Sequence, residues 1–597
     1  QDLTRVRWPR ERSPRQAENA ANSLRIESVA ALYGGDYSAY SDLRIVSHVA
    51  GAGRGGITVH KNGAGVPTNA GTLLADMAAG FICDTAGNKW QFDTDQNFNL
   101  YQFGFAGGAD ETQTIAAAIA CCALLGVRLK WIADTYNTGP ITVPTGADWE
   151  FERGALVQAI TGFGLNDRLI TFDGCAWALL KCNDAVFKML KAEYVSGEQR
   201  HCFDLRNCSN VKIFDPIAED SGGDGYYIFG ATDCEIVRPR ADNNRRGGMS
   251  IVKATRLTVW EPELDNSNGT APEHGLNFEP SDPAHELVDV FVYRPKMRGN
   301  AGSGLIVYLD DYKTGIPSDV TVTVVDPYCK DNGQYDYTIS EIFLPSPNVY
   351  GGLIEITNPV SIGSQRNAYR IVNKGKDAPI LRIKNPTAIN PCQSNEAYPY
   401  NSALFMSDGS LVESGNIQID PLVICDQSSV AGMDYGIYVE TGQGLTDVRI
   451  KLQSCVGYQV SPVVWGNITS TIADATDAII EVDSLRDQVA VTAASTNITA
   501  AYHGRIITNE GAGAGTTYNL REYLPTGNKY RFKVMEAQTV TIDVFDAADR
   551  IVGTTTAGAS VQSNVVGAEC TVEFMGTIGG VRHWKLNPIG PVSDWTF

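Results

Sequence analysis

The middle third of this chain has no apolar spacing of three and four, which excludes stacked helical repeats there. No run of about 18 or more apolar residues occurs, so no membrane-spanning helix is expected. Charged residues make up only 19% of the 597, and the net charge is −20. Nucleic acid needs concentrated Lys and Arg to displace counterions, and an acidic chain without a basic run argues against that partner. Basic pairs such as Arg10 and Arg12 are read as solvated surface. The 13 cysteines are odd in number and lack CxxC spacing. That pattern excludes a disulfide framework or a zinc site and suits buried thiols made in a reducing cytosol. Cys121 and Cys122 lie in an apolar helical run and are read as core. No EF-hand-like or His/Cys ligand spacing is present, so no cofactor and no metal are expected. The glycine-rich loop Ala50–Gly56 lacks a following GK[ST] or GxGxxG helix and is read as a turn. Residues Gln1–Pro9 do not form a signal peptide. A start without Met leads to the expectation that an upstream part has been left out.

What is present is repetition. An apolar residue, two variable residues and a proline recur as Ile213–Pro216, Ile236–Pro239, Val259–Pro262, Val292–Pro295, Val324–Pro327, Ile356–Pro359 and Ile383–Pro386. The proline-to-proline steps are 23, 23, 33, 32, 32 and 27 residues. A period of about 20–50 residues marks a solenoid, whose units bury an apolar face only by stacking. Aligned on the prolines, Gly225-Tyr-Tyr-Ile, Gly248-Met-Ser-Ile, Gly275-Leu-Asn-Phe and Gly304-Leu-Ile-Val fall in register. Each is a short strand with two inward residues two apart, such as Met249 and Ile251 or Leu276 and Phe278. Short strands with a turn after each describe a parallel β-helix, and 59 glycines suit such a turn-rich all-β chain.

Taken in order, residues 1–100 are expected to form a small N-terminal domain. Arg25–Leu32 is helical in spacing, and strands are predicted at Leu43–Val46, Ile57–His60, Gly80–Cys83 and Lys89–Phe92. Residues 101–485 carry the β-helix. A helix over Ile115–Leu125, with Asp110 and Gln113 as a capping box and Gly126 as C-cap, is placed to cover the open end of the stack. Residues 486–597 shift to Thr, Ala and Gly with short alternating strands, the pattern of a β-sandwich.

The run Phe103–Thr112, followed by Ile115, Ala118 and Ile119, then Thr142–Gly146 and Phe151–Ala155, resembles the opening of the pectate-lyase-like right-handed β-helix in phage tailspike depolymerases. Members usually read G-x-x-G-D-G-x-x-D-[DE]-T-x-A-I-x-x-A-I there; this chain has Gly-Gly-Ala at 107–109 and keeps Asp110-Glu-Thr112. The unit at 25–93 looks like the neck of such spikes. Asn268–Pro280 is similar to a segment of capsule- and exopolysaccharide-degrading spikes, with Asn277 where the family more often has Asp. The resemblance implies a homotrimer on a phage tail or baseplate, joined through the upstream part, that recognises and depolymerises a bacterial surface polysaccharide. It implies synthesis in the host cytoplasm and a place in the virion, with no membrane insertion. It also implies trimerisation or sugar binding for the C-terminal module.

Stacking turns register into geometry, because neighbouring coils lie about 4.8 Å apart. One column holds Glu219, Asp242, Asp265 and Arg298; the next holds Asp220, Asn243, Asn266 and Gly299, which is read as a hydrogen-bonded turn ladder. A third, outward, holds Asp224, Gly247, His274 and Ser303. Carboxylates one coil apart match the roughly 5–5.5 Å of a retaining glycosidase, and two coils apart approach the inverting range. Crowded carboxylates raise one another's pKa, giving an acid beside a base. The acid/base candidates are therefore Asp242, Glu273, Glu279 and Asp224. His274, Arg245, Arg246, Asn277 and Tyr308 are the substrate-binding candidates. Rival readings are a polysaccharide lyase, with His274 as base and Arg245 or Arg246 neutralising a uronate, and a non-catalytic adhesin using Tyr226, Tyr227, Tyr308, Tyr312 and Trp260. An esterase would need Ser221 or Ser250 in a triad, but no Gly-x-Ser-x-Gly is present.

Overall fold

A computed structural model of the chain describes residues 23–47, 56–193, 200–280, 282, 285–309, 320–342, 352–374, 378–394, 401–407, 414–427, 433–440, 445–456, 461–466, 478–482, 488–490, 495–498, 506–512, 514–520, 529–544, 550–552, 560–578, 581–589 and 591–596. Two compact units divide it, residues 1–222 and 223–597.

The first unit opens with a five-stranded sheet in the order Ser23–Ser28, Asp42–Ser47, Ile57–Ala64, Asn88–Phe92, Phe81–Cys83. The four strands predicted in this region are present. The helix predicted over Arg25–Leu32 is half strand, because Ser23–Ser28 pairs in parallel with Asp42–Ser47. The helix starts only at Val29, where the Ser28 hydroxyl accepts the Ala31 N–H at 3.1 Å. Most of the glycine-rich loop at 50–56 lies outside the described residues. Helix Thr112–Leu125 buries Ile115, Ala118, Ile119 and Cys122 and ends at Gly126 with φ 64°. The predicted capping box is replaced by a tighter turn in which Asp110 Oδ1 accepts the Thr112 N–H at 3.0 Å and its hydroxyl at 2.6 Å. This helix packs on the strands Leu129–Trp131, Thr135–Thr138 and Ala147–Phe151. From Leu129–Trp131 a parallel ladder runs through Ala147–Phe151 and Ala178–Lys181 to Val211–Phe214.

The second unit carries the proline repeat. The N-terminal half of Tyr226–Val237 pairs in parallel with Gly247–Trp260, which pairs with His274–Phe278, then Leu305–Tyr308, Tyr337–Ile342 and Tyr369–Lys374. A chain that returns each coil to pair in parallel with its own previous coil is a parallel β-helix, right-handed as parallel crossovers are. Its core is the inward pairs: Met249, Ile251, Leu276, Phe278 and Leu305 are all 0% exposed. The residue before each proline takes positive φ, from 48° at Glu261 to 53° at Asn358, so the motif marks one bend of every coil. Eleven of the 13 cysteines are buried.

The aligned glycines mark a corner where coils touch. A Cβ on Gly275 would lie 2.7 Å from the Gly304 carbonyl oxygen and 2.8 Å from Met297. The predicted column is exposed, and a buried ladder runs one residue further on. Asn243 and Asn266 have φ 53° and 55°, the exposed left-handed position of the turn. The buried ladder follows it: the Ser267 N–H donates to Asn300 Oδ1 at 3.0 Å, and Asn300 Nδ2 to Asn332 Oδ1 at 3.0 Å. The side chain after a left-handed residue turns back into the corner, where backbone groups need partners.

In the glycine column the coil after Gly304 has Asp336, fully buried, accepting from Asn332 Nδ2 at 2.6 Å and from the Ser361 hydroxyl at 2.5 Å. Burial pushes its carboxyl up to about 7 against those hydrogen bonds, from an ordinary 3.8. A folded-state pKa above the unfolded one stabilises the fold fully below the unfolded value, and that contribution is lost as pH rises through about 7. Asp336→Asn keeps the shape without the charge. Thermal melts are expected to show its Tm gaining on wild type between pH 4 and pH 8; a gap that does not move with pH contradicts this.

Beyond the coil, two sheets face each other over Tyr518, Tyr530, Phe532, Ile542 and Trp584. The sandwich layering is as predicted, but part of its connectivity is that of a coil. The chain alternates between sheets, pairing Gln488–Ala490, Ile506–Thr508 and Lys529–Lys533 in parallel in one, and Ser495–Ile498, Thr516–Leu520 and Val540–Val544 in the other. The later strands pair antiparallel, Val540–Val544 with Val561–Ser563 and Glu569–Ile578 with both Lys529–Lys533 and Val581–Pro588.

Candidate functional site

Between the inward residues of the second unit lies an outward row: Tyr227, Ser250, Asn277, Ile306 and Thr338, each in register with the next. Just before the glycine corner runs the other outward row, Asp224, Gly247, His274 and Ser303, in which Gly247 is paired with His274. Ser303 Oγ is 3.2 Å from Thr338 Oγ1, so the two rows face each other across the kink. The same repeat geometry sets Gly247 toward Asn277 and Asp224 toward Ser250.

Gly247 leaves a gap in this double row. A Cβ there would lie 2.9 Å from Asp224 Oδ1, so the Asp224 carboxylate leans over the vacant position from one coil and His274 flanks it from the other. Asp224 is 2% exposed, Asn277 3% and His274 8%. His274 Nδ1 accepts the Ser303 N–H at 2.9 Å, which places the imidazole hydrogen on Nε2. Burial, with the Arg246 charge alongside, holds its pKa at about 3, so the ring is a neutral donor at working pH. Asn277 Nδ2 donates to Glu279 Oε2 at 2.7 Å, while Asn277 Oδ1 is buried with no hydrogen-bond partner. A buried acceptor left open is costly and calls for a partner. A carboxylate, an open amide oxygen and an N–H donor around one gap are what a sugar hydroxyl can satisfy together.

The strand register brings Asp224, His274, Asn277 and Glu279 to this face. Arg246 is half-buried by His274, and Tyr308 follows Val307, the partner of Phe278, which puts it beside Glu279. Arg245 is 7% exposed, and its carbonyl accepts the Thr270 N–H at 3.0 Å. Two candidates lie elsewhere. Asp242 is exposed, in register with Asp265, and accepts from Asn266 Nδ2 at 2.8 Å. It belongs to a charged lattice. Arg298 Nε donates to Asp265 at 3.0 Å, and the Lys296 ammonium lies 2.8 Å from Glu263 and holds that carboxyl below its usual range. Burial raises the Asp265 carboxyl although Arg298 opposes it. Glu273, at φ 56°, closes a loop by accepting the Gly269 N–H at 2.6 Å. Glu273 and Glu279 bracket the strand His274–Phe278. At roughly 3.3 Å per residue they are about 20 Å apart along it, beyond any glycosidase carboxylate pair. Sequence reasoning passed over Gly247 as a gap and over Lys253 and His285 at the far end of the face. Gly247 was in the predicted column; Lys253 had no signal, because a bulge re-aims it. Among the described residues no group of three or more His, Cys, Asp or Glu could hold a metal ion.

No protein-family model and no curated protein sequence matches the chain. Among solved structures it is similar to tailspike protein 2 of the Escherichia coli O157:H7 bacteriophage CAB120, at 11% identity over 96% of this chain and 72% of that one, TM-score 0.46. It is similar also to tailspike gp49 of the Acinetobacter baumannii bacteriophage Fri1, a capsular polysaccharide depolymerase (12% identity, 95% and 92% covered, TM-score 0.40). A third likeness is to PfbA, a surface adhesin of Streptococcus pneumoniae (11% identity, 63% and 96% covered, TM-score 0.44). These likenesses include both enzymes and an adhesin, so the chemistry is argued from this chain's own side chains.

Proposed function

We propose that this chain is a phage tailspike depolymerase that binds a bacterial surface polysaccharide along the outward double row and hydrolyses its glycosidic bonds. The observation that carries the reading is the Gly247 gap, walled by the buried Asp224 carboxylate, the neutral His274 N–H and the open Asn277 oxygen. Asp224 and Glu279 are the proposed acid/base pair. Asp224 overhangs the Gly247 gap, and the Glu279 carboxylate is hydrogen-bonded to Asn277, whose open oxygen walls that gap. His274, Arg246 and Tyr308 position the sugar. Domain roles, a homotrimer and a virion location belong to the same proposal and rest on the sequence resemblance.

Hydrolysis is favoured over elimination by the His274 tautomer. With Nδ1 occupied by the Ser303 N–H and Nε2 carrying hydrogen, the ring has no open lone pair with which to remove a proton. The test is incubation with purified capsular and exopolysaccharides, followed by size-exclusion chromatography, a reducing-end assay and ultraviolet absorbance. Shorter chains with new reducing ends and no unsaturated product are expected. Ultraviolet-absorbing products would make it a lyase, and binding without shortening would make it an adhesin.

A further inference from the structure

The far end of the face is shaped by an irregularity. Pairing between Tyr226–Val237 and Gly247–Trp260 slips between Ile228 and Phe229 and again between Phe229 and Ala231, leaving Val252 unmatched and setting Phe229 opposite Lys253. Bulges re-aim side chains and recur beside functional sites. Here the slip gathers four groups. The Tyr227 and Phe229 rings are nearly parallel, 7° apart in plane with centroids at 6.3 Å, and the His285 imidazole meets Phe229 edge-on at 4.7 Å. Lys253 is half-buried, and its charge is felt by His285. It forms no ion pair or hydrogen bond with any described residue through its ammonium. Burial first, then Lys253, lowers the His285 pKa against the pull of Asp282, so His285 is neutral at neutral pH.

A half-buried ammonium that forms no ion pair with any described residue is unusual in a chain of net charge −20. Elsewhere on this coil cations are matched: Arg256 with Asp233, Arg294 with Glu261, Lys296 with Glu263. Partial desolvation of a lone charge costs free energy that an anionic ligand would return. The Glu279 N–H donates to the Ile251 carbonyl at 3.1 Å, two residues before Lys253. The strand that carries Lys253 thus pairs with the end of the strand that leads to Glu279, a proposed catalytic carboxylate.

We propose that Lys253, with His285 and the Tyr227–Phe229 rings, is a subsite for a carboxylate-bearing sugar, so the substrate is an acidic polysaccharide. The sugar's apolar face lies on the rings, its carboxylate pairs with Lys253, and His285 donates a neutral hydrogen bond. This rests on the reading of the groove as a polysaccharide-cleaving site.

The test uses the full chain and the polymer that wild type shortens, before and after carbodiimide-mediated reduction of its carboxyl groups to alcohols. Reduction is expected to raise KM about tenfold, the scale of one charge-assisted hydrogen bond. Lys253→Met is expected to do the same on the native polymer and to add nothing on the reduced one, the coupling that a direct contact requires. Lys253→Arg keeps the charge and should stay within about threefold of wild type. Shortening of a polymer without acidic sugars overturns the inference and leaves the cleavage reading standing. So does an unchanged KM for Lys253→Met on an acidic polymer, or a loss equal on native and reduced polymer. If no polymer is shortened, the cleavage reading fails and this inference fails with it.

Discussion

Asp224→Asn is expected to lower kcat for polymer shortening by about 10²–10⁴-fold, the range for loss of a positioned acid or base, with KM little changed. The variant keeps the shape of a side chain that is 2% exposed and overhangs the Gly247 position. Its fold should therefore survive, and thermal melting near the wild-type Tm separates lost chemistry from lost structure. Glu279→Gln should act in the same direction, since its carboxylate is fixed by Asn277. Asp242→Asn should be nearly silent, because that exposed carboxylate belongs to the charged lattice with Asn266. Full activity in Asp224→Asn would remove the proposed acid/base group.

Adjacent glycines should give opposite outcomes. Gly247→Val puts its side chain into the gap: its Cβ meets Asp224 Oδ1 at 2.9 Å, and the next nearest atoms are the His274 carbonyl oxygen at 3.5 Å and Asp224 Cγ at 3.6 Å. A carboxylate tip can shift. We expect a folded protein within about 1 kcal/mol of wild type and a loss of kcat/KM of about 10²-fold or more. At Gly248 a Cβ lies 2.7 Å from the Gly275 carbonyl oxygen and 2.8 Å from Leu264 Cβ, both fixed in the coil. Gly248→Val should cost about 1–3 kcal/mol or more by overpacking. Melting temperature and polymer viscometry on the two variants check the contrast. Loss of folding at 247, or normal cleavage there, contradicts the gap.

The coil was legible because its period is written twice, in the prolines that mark one bend and in the glycines where coils touch. Gly225, Gly248, Gly275 and Gly304 align because a Cβ has no room there, which is a backbone constraint visible in composition. The column of Asp224, Gly247 and His274 followed from that register. What was illegible depends on side-chain direction. The buried ladder lies at Asn300 and Asn332 and not at Asn243 and Asn266, since alternation does not count through a left-handed residue. Glu273 is turned to its own loop by the Gly269 N–H. Lys253 is set opposite Phe229 by a pairing slip that leaves no mark in the local sequence. At the C-terminal end, short alternating strands look alike whether they coil between two sheets or form hairpins, so the parallel pairing of Ile506–Thr508 with Lys529–Lys533 was hidden.

The most direct measurement is a crystal structure of Asp224→Asn soaked with the oligosaccharides that the wild-type protein releases. The account predicts sugar density over Gly247, between residue 224 and His274 Nε2, with a hydroxyl on Asn277 Oδ1. Density on the Asp242–Asp265 lattice, or anywhere that leaves the Gly247 gap open, would contradict it.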